Sequence, residues 1–185
     1  MGNVKGTAVL GMMEMLRDKH GEQAVAAVLA QMKPENVACV SKQVLRSQWY
    51  PWPVLVDLCE RADVACGKGD MRLVRGAAFH VAQSQLGGVL KFLLNMGSIE
   101  SILHAASMTW KSHYGSGEYK VVSSKKGHFV VEITGFQDPH PVVCELVAGW
   151  VEGLLEDRKT QWQPVEHPLC VTRGDRCCQY VIRWT

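Results

Sequence analysis

Several features that would assign this sequence quickly are missing from it. No run of roughly eighteen apolar residues occurs, so nothing is built to span a bilayer as a helix. No basic run exceeds Lys125-Lys126, and the formal net charge is only +2. A nucleic-acid footprint needs clustered Lys and Arg, so that class is set aside. The opening Met1-Gly2-Asn3-Val4-Lys5-Gly6 has no apolar signal core, and Gly6 stands where a myristoylation signal needs Ser or Thr. The phosphate-loop frame Gly-x4-Gly-Lys-Ser/Thr is missing, and so is a dinucleotide fingerprint. No repeat or low-complexity linker divides the chain, which is expected to form one domain over residues 1–185.

Cysteine is plentiful, at seven residues. An odd number without a secretion signal points to free thiols and a reducing compartment, with the cytoplasm as the expected location.

Two patterns follow one another along the chain. Thr7 is positioned to cap a helix carrying Val9, Leu10, Met12, Met13 and Leu16, and His20-Gly21 stops it. A second helix is expected from about residue 22 to 32, broken by Lys33-Pro34-Glu35. Pro51 and Pro53 bracket a third, with Val54, Leu55, Leu58 and Ala62 as its apolar stripe. Asp70 opens a fourth through Gln85, and Gly87-Gly88 marks a kink or break. Ser98 caps a fifth, with Ile99, Ile102, Leu103, Ala106 and Trp110 inward. After Gly115-Ser116-Gly117 the period falls to two. Strands are expected near 119–122, 128–133, 162–171 and 178–184, with a helix over 141–156. The expected fold class is α+β: an N-terminal helical half, then β-β-α-β-β with a four-stranded antiparallel sheet.

The chemistry concentrates at the end. Cys170 and Cys178 flank a hairpin turn, His167 lies just before them, and Cys144 sits near the start of the preceding helix. One imidazole and three thiolates make a ligand set suited to a four-coordinate structural zinc. Glu166 is a substitute for His167, because neighbours on a strand face opposite sides. Read as hydrophobes, the same thiols are small core residues.

The stretch Cys170-Val-Thr-Arg-Gly174-Asp175-Arg-Cys-Cys178-Gln-Tyr180-Val-Ile182 resembles the C-terminal signature of the 4-vinyl reductase domain. That family includes sensor domains of aromatic-responsive transcription activators and relates in fold to Golgi-transport particle subunits. The resemblance implies a zinc held by Cys144, His167, Cys170 and Cys178, with His167 where the family keeps an acidic residue. It also implies a homodimer. The opening Lys5-Gly6-Thr7 through Gly21 is similar to the first helices of haem nitric-oxide-binding domains. The chain as a whole resembles a paralogous group of myxobacterial proteins.

Two kinds of ligand follow from these resemblances. A small apolar molecule between helices and sheet would be lined by Phe79, His80, Phe92, His104, Trp110 and Trp150. Phenol-binding relatives use tyrosines where this chain has Ala148 and Val165, so recognition of that type is not expected. Alternatively, His104 serves as axial ligand to a haem. The haem family's Tyr-x-Ser-x-Arg motif is approached only by Tyr114-Gly-Ser116-Gly-Glu118, which ends in the wrong charge. Cys66 near Gly67-Lys68-Gly69-Asp70 and His113 near Tyr114 are the candidates an enzyme would offer, but the first reads as a loop and no enzyme is expected. The Trp49-Tyr50-Pro51-Trp52 segment reads as a buried anchor. The sequence thus suggests a non-enzymatic sensory or interaction domain that binds a small apolar ligand and signals to a partner protein. Zinc ranks first as cofactor, and the alternative is a haem-based gas sensor using His104.

Overall fold

The computed structural model describes residues 2–85, 97–158 and 160–185. The Gly87-Gly88 break and Phe92 lie outside the described residues.

A short strand, β1 (Asn3–Lys5), leads into α1 (Gly6–His20), α2 (Glu22–Gln31) and α3 (Pro34–Val40). Thr7 does not cap α1, which begins one residue earlier, with Lys5 at the cap position and no side-chain cap bond. Lys33-Pro34 breaks the chain as expected, but a new helix starts there at once. Proline suits a first helical turn, where its missing N–H would have had no partner. Asp57 pins α3 in place. It accepts hydrogen bonds from the Lys33 backbone N–H and from Asn36 Nδ2, each at 2.8 Å.

β2 (Trp49–Pro51) pairs antiparallel with β1, setting Val4 opposite Tyr50. Within the expected buried aromatic anchor, Tyr50 and Trp52 are buried but Trp49 is exposed. Asp57 belongs to the next helix, α4 (Trp52–Cys66), whose Val54, Leu55, Leu58 and Ala62 form the apolar stripe read from the sequence. The fourth expected helix, α5 (Arg72–Gln85), starts two residues late, with the Asp70 carboxylate accepting from the Arg72 N–H at 3.1 Å. α6 (Ile99–His113) is capped by Ser98, as expected, through the Ser101 N–H.

β3 (Glu118–Lys125), β4 (His128–Thr134), α7 (Pro141–Asp157), β5 (Glu166–Leu169) and β6 (Cys178–Arg183) complete the order. The four strands form an antiparallel sheet in the order β3-β4-β6-β5, so the expected fold class holds. The third strand is shorter than expected. Trp162 makes only an isolated bridge to Trp184. Phe129, Val131 and Ile133 on β4 and Cys178, Tyr180 and Ile182 on β6 are all buried, which is one strand face at period two.

α5 and α7 meet backbone to backbone. A Cβ at Gly149 would stand 2.0 Å from the Arg75 carbonyl oxygen, and one at Gly153 would stand 2.4 Å from that of Phe79. Glycine spaced by four puts both gaps on one helix face. Between the helices Arg75 donates to the Glu152 carboxylate, and through Nη2 to the Val165 carbonyl at 3.1 Å. The Val165 N–H returns a bond to Glu152 at 2.9 Å. The pair therefore ties both helices to the segment entering β5.

Two outcomes follow. Gly149→Ala should force α5 and α7 apart at a cost of about 1–3 kcal/mol, lowering Tm by roughly 2–12 °C in calorimetry. An unchanged Tm would mean that the backbones are not in contact. Burial pushes the Asp57 carboxyl up, but hydrogen bonds from Asn36, Lys33 and Arg61 outweigh it and hold the group below its ordinary range. Its contribution is therefore present above the unfolded value near about 3.9 and lost as pH falls through the lower folded value. The stability gap between the parent and Asp57→Asn in urea unfolding should be widest near neutrality and should close below that window.

Candidate functional site

The β5–β6 hairpin turns through a single 3₁₀ turn, Val171–Arg173, and Gly174 at φ 94°. That turn brings Cys170, just past β5, beside Cys178, the first residue of β6. Asp175 fixes it by accepting from the Cys170 N–H at 2.7 Å. Arg173 straps it from outside, donating to the carbonyls of His167 and Pro168 at 2.8 and 3.1 Å.

The first turn of α7 delivers Cys144 to the same point. His140 caps this helix, its Nδ1 accepting from the Val142 N–H at 3.3 Å. The Cys144 sulfur lies 3.5 Å from that of Cys170 and 3.9 Å from that of Cys178, and the last two are 4.0 Å apart. His167 completes a set whose ligand atoms all lie within 4.8 Å of one another. The four residues read from the sequence are thus brought together.

Of the two neighbours, His167 lies with the cysteines and Glu166 lies away from them. Glu166 points outward and pairs with Arg183. The His167 ring stacks on Tyr180 with centroids 4.5 Å apart and planes 2° from parallel, and its Nε2 is buried without a hydrogen-bond partner. Cys177, next in sequence to Cys178, is buried outside the set.

A buried, unpaired imidazole nitrogen is costly unless something accepts or donates there. Three sulfurs at these separations, with one nitrogen, match the donor chemistry of a small thiophilic cation. The electrostatics agree with close thiols. Hydrogen bonding from Cys144, and then from His167, holds the Cys178 thiol below its ordinary range, while the same contact and burial push Cys144 up. Thr172 Oγ1 lies 2.9 Å from the Cys170 sulfur. Burial also raises Tyr180, whose hydroxyl has no partner.

The residues expected to line an apolar pocket are spread more widely. Trp110 stacks on Tyr114 at 4.3 Å and belongs to an aromatic cluster with Tyr119 and Phe136. His80 on α5 faces Asp18 of α1 at 3.4 Å. Phe79 and Trp150 are half-buried on α5 and α7, and Phe92 lies outside the described residues.

His104 projects from α6 with its side chain exposed and its ring edge-on to Phe129 of β4 at 5.2 Å. Among the described residues neither of its ring nitrogens has a hydrogen-bond partner. An imidazole of that kind fits the role of axial base to a haem. The clamp for the propionates does not fit a Tyr-x-Ser-x-Arg motif, since Glu118 opens β3 instead.

Cys66 ends α4 at a loop closed by Asp63, whose carboxylate accepts from the Met71 and Leu73 N–H groups at 2.8 and 3.3 Å. That arrangement is loop closure and not phosphate binding. Burial and the nearby Lys5 lower the His113 pKa.

No family model matches the sequence, and no curated relative does. Solved structures do. The chain is similar to the H-NOX protein of S. oneidensis in its Fe(II)NO state, with a TM-score of 0.76 at 11% identity over 98% of this chain and 99% of that one. It is similar to the Fe(II) unliganded H-NOX protein of K. algicida, with a TM-score of 0.75 at 12% identity over 98% and 96%. A third is the IWP-051-bound H-NOX of Shewanella woodyi in its Fe(II)CO state, at 0.70 and 13% over 97% and 94%. These likenesses correct the expectation that ranked zinc ahead of haem, because each neighbour is an iron protein named by its ligation state. At such identities the likeness is one of fold, and the chain has the fold of H-NOX proteins along nearly its whole length.

Proposed function

We propose that this chain is a single non-enzymatic sensory domain that binds haem through His104, responds to a diatomic gas and passes its output to a partner protein. The observation that carries the reading is the place of His104 within a chain-long H-NOX fold, on the helix packed against the sheet. When bound, haem iron would supply an open coordination position for a gas. The chain's own residues would do the rest. His104 offers its imidazole nitrogen, and the Phe129 ring edge limits the tilt of that imidazole. Ile102, Leu103 and Trp110 of the same helix are buried and hold α6 in the core. The sensed molecule would thus act on an element already packed into the core. A homodimer and a cytoplasmic setting remain part of this reading. The first is supported by the resemblance in the C-terminal residues, the second by seven cysteines that are all free thiols.

Haemin reconstitution of the purified protein should produce a Soret band. His104→Ala should weaken haem binding by about tenfold or more. Absence of any band from the folded parent protein would remove the gas-sensor reading and leave the fold alone.

The Cys144, His167, Cys170 and Cys178 set supports a second assignment, independent of haem: a metal-ion site that staples α7 to the hairpin. Its specific observation is the unpaired buried Nε2 of His167 facing three clustered sulfurs. Elemental analysis of untagged protein should find one divalent cation per chain, lost in Cys170→Ser. The loss of the staple should lower Tm by roughly 4 °C or more, the equivalent of about 1–2 kcal/mol for a chain of this size. Metal-free parent protein with unchanged stability would reduce the four residues to core packing.

A further inference from the structure

One groove lies apart from both sites. It has a volume of about 440 Å³ between α1, the end of α3 and the segment that follows. Leu10, Met13, Val40 and Val44 give it an apolar floor, and Arg17, Lys42 and Arg46 stand at its rim. That volume falls within the range of about 300–1,000 Å³ usual for small-molecule sites.

The wall is held in place before any ligand arrives. Residues 41–48 form neither helix nor strand, yet the Leu45 N–H donates to the buried Tyr50 hydroxyl at 2.9 Å. The Gly6 N–H donates to the Gln48 carbonyl at 2.8 Å, and Lys5 Nζ donates to that of Ser47 at 2.8 Å. Gly6 is required here, because a Cβ would stand 2.1 Å from the Leu45 carbonyl oxygen. A wall fixed in this way loses little freedom on binding.

The rim charges identify the ligand. Arg17 pairs with Glu22, and Arg46 pairs with Glu14 at 2.6 Å. Lys42 has no carboxylate partner among the described residues. Asp18 is a further carboxylate acting on Arg17, so the charge left unmatched beside the apolar trough is that of Lys42. The paired guanidiniums also keep spare N–H donors, since each has five.

We propose that this groove binds a linear aliphatic carboxylate, the chain lying on Leu10, Met13, Val40 and Val44 and the carboxylate meeting Lys42 and Arg17. A ligand without an anionic group would leave the unmatched charge of Lys42 unused, and one without an aliphatic chain would leave the apolar floor unused. The site shares no residue with the His104 region or with the cysteine set, so it stands or falls independently of both.

Isothermal titration calorimetry of the full chain with hexanoate, octanoate and decanoate, below their micelle thresholds, tests this directly. Saturable one-to-one binding is expected, tightening by roughly threefold to fourfold per added methylene while the chain still fits. 1-Octanol should bind at least tenfold more weakly than octanoate. Lys42→Glu, an exposed change that leaves the fold intact, should weaken octanoate by tenfold or more, and Met13→Trp should block the trough. No saturable binding of decanoate would overturn the proposal. Binding that is indifferent to Lys42→Glu in a protein with parent-like circular dichroism would overturn it equally, because the carboxylate would then lie elsewhere.

Discussion

The close contact of α5 with α7 is the constraint on which the rest of the structure depends. It joins the helical half to the sheet half, and two glycines a helical turn apart make it possible. Close backbone approach leaves no space for a side chain at Gly149 or Gly153, and the ion pair of Arg75 and Glu152 joins the two helices beside that contact. A partly buried pair of this kind is weak evidence for stability, because desolvation offsets much of its attraction. Its value here is positional. Arg75 donates to the Val165 carbonyl and Glu152 accepts from the Val165 N–H, so both backbone groups of one residue are satisfied by opposite charges. That fixes where the chain enters β5.

The hairpin cluster inherits its geometry from this seam. Cys144 lies on α7, while His167, Cys170 and Cys178 lie in the hairpin that Val165 leads into. Displacing α7 along its axis by a single residue would carry the Cys144 sulfur about 1.5 Å relative to the other two. That is a large fraction of the 3.5–4.0 Å separations that make the set. The cluster is therefore a readout of correct helix–sheet docking as much as a separate feature.

Much of this was legible in the sequence, for reasons that differ by element. The strands of the sheet announce themselves by period two, and His128–Thr134 reads Phe129, Val131, Ile133 inward without ambiguity. Ser98 could be recognised as a cap because a hydroxyl before an apolar stripe has few other uses. Cys144, His167, Cys170 and Cys178 could be gathered because a hairpin turn forces its flanks together. α3 was hidden, since a proline both breaks one helix and begins another, and only the Asp57 contact decides that the chain restarts at once. Asp57 itself gave no warning, because a lone aspartate on an apolar helix looks like a surface residue. The α5–α7 approach was equally silent: Gly149 and Gly153 lie within the expected helix, and their partner backbone is more than seventy residues away. The groove at residues 41–48 lay beyond any periodic reading, because its segment has no period.

The position of α6 bears on how a ligand at His104 could be felt elsewhere. Two turns beyond His104, Trp110 stacks on Tyr114, and both touch Phe136. Phe136 meets Trp52 edge-on at 5.2 Å, and Trp52 Nε1 donates to the Asp138 carbonyl. Tyr114 also bridges to Val4 in β1, which pairs with β2. A shift of α6 along its axis therefore cannot be absorbed locally. Aromatic rings packed at van der Waals distance resist compression, so displacement at one must appear at the next. The rings lead to β1 and β2, a two-stranded ribbon tied further by the Trp52 N–H to the Gly2 carbonyl and by the Gly115 N–H to the Asn3 carbonyl, each at 2.8 Å. Contact alone does not make a signalling route, which requires an element with two discrete arrangements. The ring contacts therefore fix where α6 stands against the β1–β2 ribbon, whose Val4 and Tyr50 are both buried.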